Sequence, residues 1–157
     1  DTADLDLLEE ATLAFWLKLT GETGTWQFPV TKFLSNQSRN YGVYIRSSDF
    51  HVAMSTSLEG ASYPHSDVAG RVAVNDGNWH HIAAVFDTTA GEMRLYIDGE
   101  EDGRRRADEG LLKTNDEPLR IGAGTHGVID DVTLYARALP SGEIRSILSG
   151  NVGKLVP

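Results

Sequence analysis

Apolar residues recur along this chain in short runs that polar, glycine-rich segments interrupt. Within the runs, β-branched and aromatic residues are frequent, which is typical of β-strands. About nine such runs follow one another at a spacing of roughly ten residues, and this spacing favours an all-β sandwich or barrel. The clearest runs are Thr12–Leu19, Tyr41–Arg46, Phe50–Ser55, Arg71–Val74, Trp79–Phe86, Met93–Ile97, Leu119–Gly122 and Val128–Tyr135.

Turn residues between the runs indicate how the strands connect. Ser-Ser-Asp separates Tyr41–Arg46 from Phe50–Ser55, so we expect these two runs to form a hairpin. Asp98-Gly99 follows the run Met93–Ile97. This dipeptide favours a two-residue type I′ turn, because both of its central residues need positive φ.

The run Trp79–Phe86 is apolar at nearly every position, which predicts a central strand that is covered on both faces. His80 and His81 are neighbours within it, so their rings should point to opposite sides of the sheet. They therefore cannot bind one metal ion together. We interpret both as scaffold residues that bond neighbouring backbone.

One short helix is predicted near the end of the chain, within residues Leu139–Leu148. Ser141 is a suitable N-cap, and Ile144, Ile147 and Leu148 fall on one helix face. We expect residues 1–150 to form a single domain, followed by a tail or linker at residues 151–157 that leads into a further domain.

Charge and composition narrow the classes of partner. The chain has 157 residues with 23 acidic and 14 basic side chains, a net charge of −9. Such a surface argues against binding to nucleic acid or to anionic membranes. The one basic run, Arg104–Arg106, lies between acidic residues, so we expect a solvated, self-neutralised loop. The chain has no cysteine, and no apolar run is long enough to span a bilayer.

Four segments, in order, resemble the laminin G-like, concanavalin A-like domains of bacterial extracellular proteins. They are Trp79–Ala83, Leu95–Gly99, Leu119–Gly122 and Gly127–Leu139. The resemblance implies a jelly roll: two antiparallel sheets packed as a β-sandwich, to which the residue pattern adds the short helix at the C-terminal end. It also implies a non-catalytic module. In that family the arm after Asp98-Gly99 is apolar, whereas here it is acidic, so we expect a short, charged edge strand.

The same resemblance implies a structural calcium ion between the early chain and the final strand. The implied ligands are Asp130, with Asp131 beside it, and an acidic residue of the N-terminal segment such as Asp4 or Asp6. Asp130 and Asp131 should alternate across their strand, so one of them faces the site. The alternative is an ion pair between Asp130 and an arginine, either Arg120 or Arg137.

For a carbohydrate ligand, aromatic faces and hydrogen-bonding side chains near loops are the natural candidates. Trp26, within the polar segment Gly21–Gln27, is the best exposed aromatic residue. We expect some of Trp26, Tyr44, Arg46 and Tyr63 to line a groove.

The hypothesis is a non-catalytic, carbohydrate-binding module within a larger secreted or cell-surface protein. One alternative is a protein-interaction or adhesion module of the same fold that binds a cell-surface or matrix protein. The other is a small glycan-active hydrolase or lyase. The hydrolases of this fold have a Glu-x-Asp-x-x-Glu strand, and the lyases have Gln-x-His and Tyr-x-Lys strands. None of these patterns occurs in the sequence.

Overall fold

The computed structural model describes residues 5–7, 9–21, 24–33, 39–57, 66–106 and 111–150. These residues form ten strands and one helix. The elements are β1 (Glu10–Leu19), β2 (Gln27–Thr31), β3 (Gly42–Ile45), β4 (His51–Thr56), β5 (Ser66–Ala73), β6 (His80–Asp87), β7 (Glu92–Ile97), β8 (Glu100–Arg106), β9 (Arg120–Ala123), β10 (Gly127–Tyr135) and α1 (Ser141–Ser149).

The strands make two five-stranded antiparallel sheets. The first sheet has the order β10-β1-β6-β7-β8, and the second has the order β5-β4-β3-β2-β9. The all-β, two-sheet sandwich with one C-terminal helix is therefore confirmed. The predicted hairpin is present as β3 and β4, whose register pairs Tyr44 with Ala53.

The main core lies between the two sheets. Each strand alternates its side chains, and every second residue enters this core. From the first sheet, Leu13, Phe15 and Ile82 are fully buried, and from the second sheet Val43 and Met54 are fully buried. Because the remaining residues of each strand point away from the core, each sheet also has an outer face.

The outer face of the first sheet is covered by α1. Ala83 and Val85 of β6 form a second buried cluster with Leu139 and with Ile144 of the helix. Ile82, Ala84 and Phe86 enter the main core, so β6 is buried on both sides as its unbroken apolar run predicts. The helix begins at Ser141, but Pro140 is the N-cap and no side chain caps it, so the assignment of Ser141 as N-cap was wrong.

The two histidines lie on opposite sides of β6, as predicted. The backbone N–H of His81 donates to Asp98 Oδ1 at 2.8 Å. His80, however, bonds carboxylates rather than backbone: Nδ1 lies 2.8 Å from Asp98 Oδ2, and Nε2 lies 3.0 Å from Asp76 Oδ1. Asp98 and Gly99 both have positive φ, as the predicted turn requires.

Two segments differ from their predicted structure. Arg104–Arg106 belongs to strand β8 and not to a loop, although Arg104 is neutralised locally by Glu101 and Glu92. The acidic arm after Gly99 does form an exposed edge strand, but it extends over seven residues and is not short. The second segment is Gln27–Thr31, which pairs as β2 with β3 and β9 and had no predicted strand.

Candidate functional site

The outer face of the second sheet carries the most distinctive group of side chains. Val43, Ile45 and Met54 enter the core, so Tyr44 of β3 and its outward-facing neighbours on β4 and β5 lie on the opposite side. Around Tyr44 the structure brings together residues from five separate segments. We call this group the aromatic face; it consists of Trp26, Phe33, Arg39, Tyr44, Ser55 and Asp67.

Trp26 and Tyr44 form the exposed part of the aromatic face. Their ring centroids are 5.4 Å apart, and the ring planes are inclined by 56°. Trp26 remains 51% exposed, whereas Tyr44 is half-buried. Tyr44 therefore supports one side of the indole, and about half of the Trp26 surface is available to a ligand. Two of the residues predicted from the sequence thus lie in contact.

Arg39 is buried within the aromatic face and contacts Phe33, Tyr44, Ser55 and Asp67. Its guanidinium lies 4.9 Å from the centroid of the Phe33 ring and 5.8 Å from that of the Tyr44 ring, both within cation–π distance. It also donates a hydrogen bond to Ser55 Oγ and forms an ion pair with Asp67 at 3.1 Å. Only 8% of Arg39 is exposed, so it positions its neighbours rather than presenting its own surface.

The charges of Arg39 and Asp67 on the aromatic face compensate each other, and the Tyr44 hydroxyl is neutral. Burial, followed by the negative charge of Asp67, raises the pKa of Tyr44 to about 12, so its hydroxyl remains protonated. Tyr44 is hydrogen-bonded to Asp67. Since the Asp67 charge is compensated by Arg39, this part of the surface has little net charge. It offers a donor and an acceptor next to an aromatic plane.

Gly42 has a steric role beneath the aromatic face. It lies on β3 two residues before Tyr44 and therefore on the same side of the sheet. A Cβ atom at this position would overlap the ring of Phe33. The absence of a side chain at residue 42 leaves room for the Phe33 ring, which contacts Arg39.

The other two predicted ligand-binding residues are placed as follows. Arg46 directly follows β3 and forms an ion pair with Asp49 at 3.1 Å. Asp49 also accepts a hydrogen bond from the backbone N–H of His51 at 3.2 Å, so the Arg46 head is held in a local turn. Tyr63 lies outside the described residues.

Asp130 and Asp131 occupy a β-bulge, which changes their predicted alternation. The pairing with β1 advances two residues from Ala14 to Trp16 while β10 advances three, from Thr133 to Asp130. Asp131 has a left-handed backbone with φ of 50°, and its N–H donates to Asp130 Oδ1 at 2.8 Å. As a result both aspartates are exposed, and neither carboxylate enters the core unpaired.

Asp6, the other predicted calcium ligand within the described residues, is next to a buried cation. Its Oδ1 lies 2.8 Å from Nζ of Lys32, which is fully buried. Lys32 Nζ also donates to the carbonyl oxygen of Asn115 at 2.7 Å. This ammonium group links the N-terminal segment to the segment before β9. Asp4 lies outside the described residues.

The described residues among these predicted ligands do not by themselves make up a calcium site. Calcium takes six to eight oxygen ligands, and the described residues contain no group of three histidine, aspartate or glutamate side chains that could hold a metal ion. The two arginines of the alternative ion pair have other partners: Arg120 pairs with Glu117, and Arg137 pairs with Glu143. Calcium binding stays a prediction. It is tested by whether calcium raises the melting temperature and whether Asp130→Ala removes that increase.

Sequence reasoning missed four members of the aromatic face, namely Phe33, Arg39, Ser55 and Asp67. Arg39 and Asp67 are 28 positions apart and meet only because β3, β4 and β5 are neighbours in the sheet. The register pairs Ser55 with Asp67, and this register cannot be read from the residue pattern alone. The signal that could have found them is the outward position of Asp67, since Val68 next to it enters the core.

The family comparison identifies this fold. A family model described as "Concanavalin A-like lectin/glucanases superfamily", of the Laminin_G_3 type, matches residues 1–145. The chain belongs to this superfamily. Over 152 residues it is 30% identical to the adhesion G-protein coupled receptor V1 of Danio rerio. That alignment covers 90% of the chain but 2% of the receptor, so the matching domain is a small part of a much longer protein.

Solved structures agree with this fold. The binding domain of Paraclostridial Mosquitocidal Protein 1 superposes with a TM-score of 0.74 at 15% identity, covering 96% of this chain and 39% of that one. The binding domain of Botulinum Neurotoxin DC, in complex with SialylT, superposes with a TM-score of 0.66 at 14% identity, covering 90% and 35%. Together with the family, these relatives describe a non-catalytic binding module. Within the described part of the chain, no helix has the length and apolar character to cross a membrane.

Proposed function

We propose that this superfamily member binds carbohydrate through the aromatic face, as one module of a larger secreted or cell-surface protein. The observation that carries the proposal is the half-exposed Trp26 ring, which Tyr44 supports at 5.4 Å beside the ion-paired Asp67. An aromatic plane can stack on the C–H surface of a sugar ring. The adjacent carboxylate and phenol can accept and donate hydrogen bonds to sugar hydroxyls.

The charge balance favours a neutral glycan over an acidic one. Arg39 is the cation of this face, and its guanidinium is already bonded to Ser55 and Asp67. It is also 92% shielded from solvent, since only 8% of the residue is exposed. An acidic sugar would therefore find no accessible arginine head on this face to pair with. We expect neutral polysaccharides to bind more tightly than uronic acid polymers.

The test is a glycan array followed by titration calorimetry on the best ligand. Trp26→Ala should weaken binding about fivefold to a hundredfold, if stacking of a sugar on the ring is worth on the order of 1–3 kcal/mol, as it is for a nucleic-acid base. Val128→Ala is the matched control, because Val128 is 49% exposed but lies on the first sheet, in β10. Its affinity should equal that of the wild type. Equal affinity of wild type and Trp26→Ala for every bound glycan would overturn the assignment of this face.

A second candidate is an adhesion module that binds a cell-surface or matrix protein. It is favoured by the relative in an adhesion receptor, a multidomain protein of which the matching region is 2%. If no glycan binds on the array, and a purified matrix protein binds in a manner that Trp26→Ala weakens, the aromatic face is a protein-binding surface.

A further inference from the structure

A fully buried lysine follows strand β2. Lys32 comes directly after Thr31, and none of its surface is exposed. Lysine is almost never fully buried unless its charge is paired, because an ammonium group is costly to remove from water. The proposed carbohydrate site does not use this residue, so the burial of its charge needs an explanation of its own.

At least three oxygen atoms surround the ammonium group. Lys32 Nζ donates to the backbone oxygen of Asn115 at 2.7 Å and to Asn115 Oδ1 at 3.2 Å. It also lies 2.8 Å from Asp6 Oδ1, in an ion pair without hydrogen-bond geometry, because this oxygen has no hydrogen-bond partner among the described residues. A carboxylate, a backbone carbonyl and a side-chain amide are also the oxygen types that a calcium ion takes. This oxygen cluster therefore has the composition of a small cation site.

Neighbouring residues hold the oxygen cluster in place. Asn115 Nδ2 donates back to the backbone oxygen of Lys32 at 2.9 Å, and Asn115 Oδ1 also accepts from the backbone N–H of Glu117 at 3.0 Å. On the N-terminal side, the hydroxyl of Tyr41 donates to the carbonyl oxygen of Leu5 at 3.1 Å. The oxygens are thus positioned by contacts other than those with the ammonium group, as in a preformed ion site.

A calcium ion at Asp6 does not fit beside this ammonium group. The resemblance to laminin G-like domains implies a calcium ligand in the N-terminal segment, and Asp6 is one of the residues predicted for that role. An ion at the usual distance of about 2.3–2.6 Å from Asp6 Oδ1 would lie no more than about 5.4 Å from Lys32 Nζ. The fixed positive charge of the lysine would repel it.

We propose that the Lys32 ammonium is the structural cation of the N-terminal segment, and that Asp6 binds this ammonium instead of a metal ion. The same group holds Asn115 in the segment before β9, so one cation joins both segments to the end of β2. Because this cation is part of the chain, the attachment of the N-terminal segment does not depend on the concentration of free calcium. Asp130 lies on β10, and its predicted calcium binding is tested separately.

The first test compares the calcium response of the wild type with that of Asp6→Asn. Melting temperatures of the 157-residue chain are measured in EDTA and in excess calcium chloride. Any rise in melting temperature that calcium causes should be the same in both proteins, because Asp6 is not a ligand. A calcium-induced rise that Asp6→Asn abolishes would overturn the proposal.

The second test removes the ammonium group and then restores it in solution. Lys32→Ala should lower the melting temperature by about 10 °C, since it leaves the Asp6 carboxylate without its cation. Propylammonium has the atoms that this substitution removes. It should raise the melting temperature of Lys32→Ala by about 3–6 °C at about ten times its Kd. The same concentration of 1-propanol, which lacks the charge, should not do so, and neither compound should stabilise the wild type.

A milder variant provides the answer if Lys32→Ala does not fold. Lys32→Met keeps an unbranched stem without the charge, and its loss of stability should not add to that of Asp6→Asn, because each removes the same ion pair. Lys18→Met on β1 is the control for a lysine that is only half-buried, and should shift the melting temperature by about 2 °C or less. Additive losses, no rescue by propylammonium, or equal rescue by 1-propanol would each contradict the assignment of Lys32 as the structural cation.

Discussion

The outer faces of the two sheets differ in what covers them. On the first sheet, α1 packs on β6, and Ala83, Val85 and Ile144 form a buried apolar cluster. On the second sheet, the corresponding face contains Trp26 and Tyr44 instead. The first sheet therefore has apolar side chains on both of its sides, whereas the second sheet has them chiefly on the side that faces the core.

The difference between the two outer faces corresponds to a difference in role, since one contributes mainly to stability and the other mainly to ligand contact. The part of a face that a helix covers adds buried apolar area to the fold, whereas the β10 side of the first sheet, with Val128, stays exposed. On the second sheet Phe33, Arg39 and Ser55 are also buried, and the outer face exposes chiefly Trp26, with Tyr44 and Asp67 half-buried beside it. The same sandwich thus uses one outer face mainly for stability and the other for ligand contact.

The largest expected effect comes from placing a charge on each outer face in turn. Ala83→Glu would bury an unpaired carboxylate beneath α1, and should lower the free energy of unfolding by about 3 kcal/mol or more. Ala69→Glu is the matched change on β5, where the alanine is exposed, and should cost less than about 0.5 kcal/mol. Urea unfolding measures both values.

A milder variant keeps this comparison measurable if Ala83→Glu does not fold. Ala83→Ser adds only a hydroxyl under the helix and should cost about 1–2 kcal/mol. Similar stabilities for the variants of residues 83 and 69 would contradict the difference in cover between the two sheets.

The next effect concerns the helix itself. Ile144 is fully buried in the cluster beneath α1, so Ile144→Ala should destabilise the domain by about 2–4 kcal/mol. Ile121 of β9 is 56% exposed, and Ile121→Ala should cost less than about 0.5 kcal/mol. Thermal and urea unfolding measure the two changes. A small effect of Ile144→Ala would mean that α1 contributes little to the first sheet.

The smallest expected effect concerns the pKa values of His80 and His81, which lie on opposite sides of β6. His80 is held between Asp98 and Asp76, and because a neutral imidazole has only one N–H, donation to both carboxylates requires the protonated ring. The hydrogen bond to Asp98 is the main cause that raises the pKa of His80 above 6.5. Burial lowers the pKa of His81 below 6.5. NMR titration of the two rings should show this order.

The two shifts give opposite pH dependences of stability. The contribution of His80 is fully present below pH 6.5, the unfolded value, and is lost as the pH rises through its folded pKa. The contribution of His81 is present above pH 6.5 and is lost as the pH falls through its lower folded pKa. His80→Gln should therefore remove the loss of stability at the alkaline side and leave the loss that His81 causes on acidification unchanged. An inverted order of the two pKa values would contradict these environments.

The fold was largely predictable because its strands follow simple apolar patterns. The run Trp79–Phe86 predicts a strand that is buried on both sides, and Asp98-Gly99 predicts the turn between β7 and β8. β2 was missed because Pro29 and the polar residues before it are typical of loops. The bulge at Asp131 was also missed, because its cause is the pairing of β10 with β1 and not a local residue signal.

The candidate site was predictable only in part. An exposed tryptophan such as Trp26 stands out in a polar segment, and the strand pattern places Tyr44 on a sheet. The contacts of Arg39 with Phe33 and Asp67 depend on the register of several strands, which a single sequence does not specify. The buried pairing of Lys32 with Asp6 was hidden for the same reason, since lysine is expected at the surface.

Mapping the bound ligand on the two sheets tests the central claim most directly. The ¹⁵N-labelled domain is titrated with the glycan that binds best on the array, and amide shifts are recorded. We predict shifts at Tyr44, Ser55, Asp67 and the Trp26 indole, with the amides of β1 and β10 unchanged. Shifts confined to β1 and β10, with those of the aromatic face unchanged, would contradict the account.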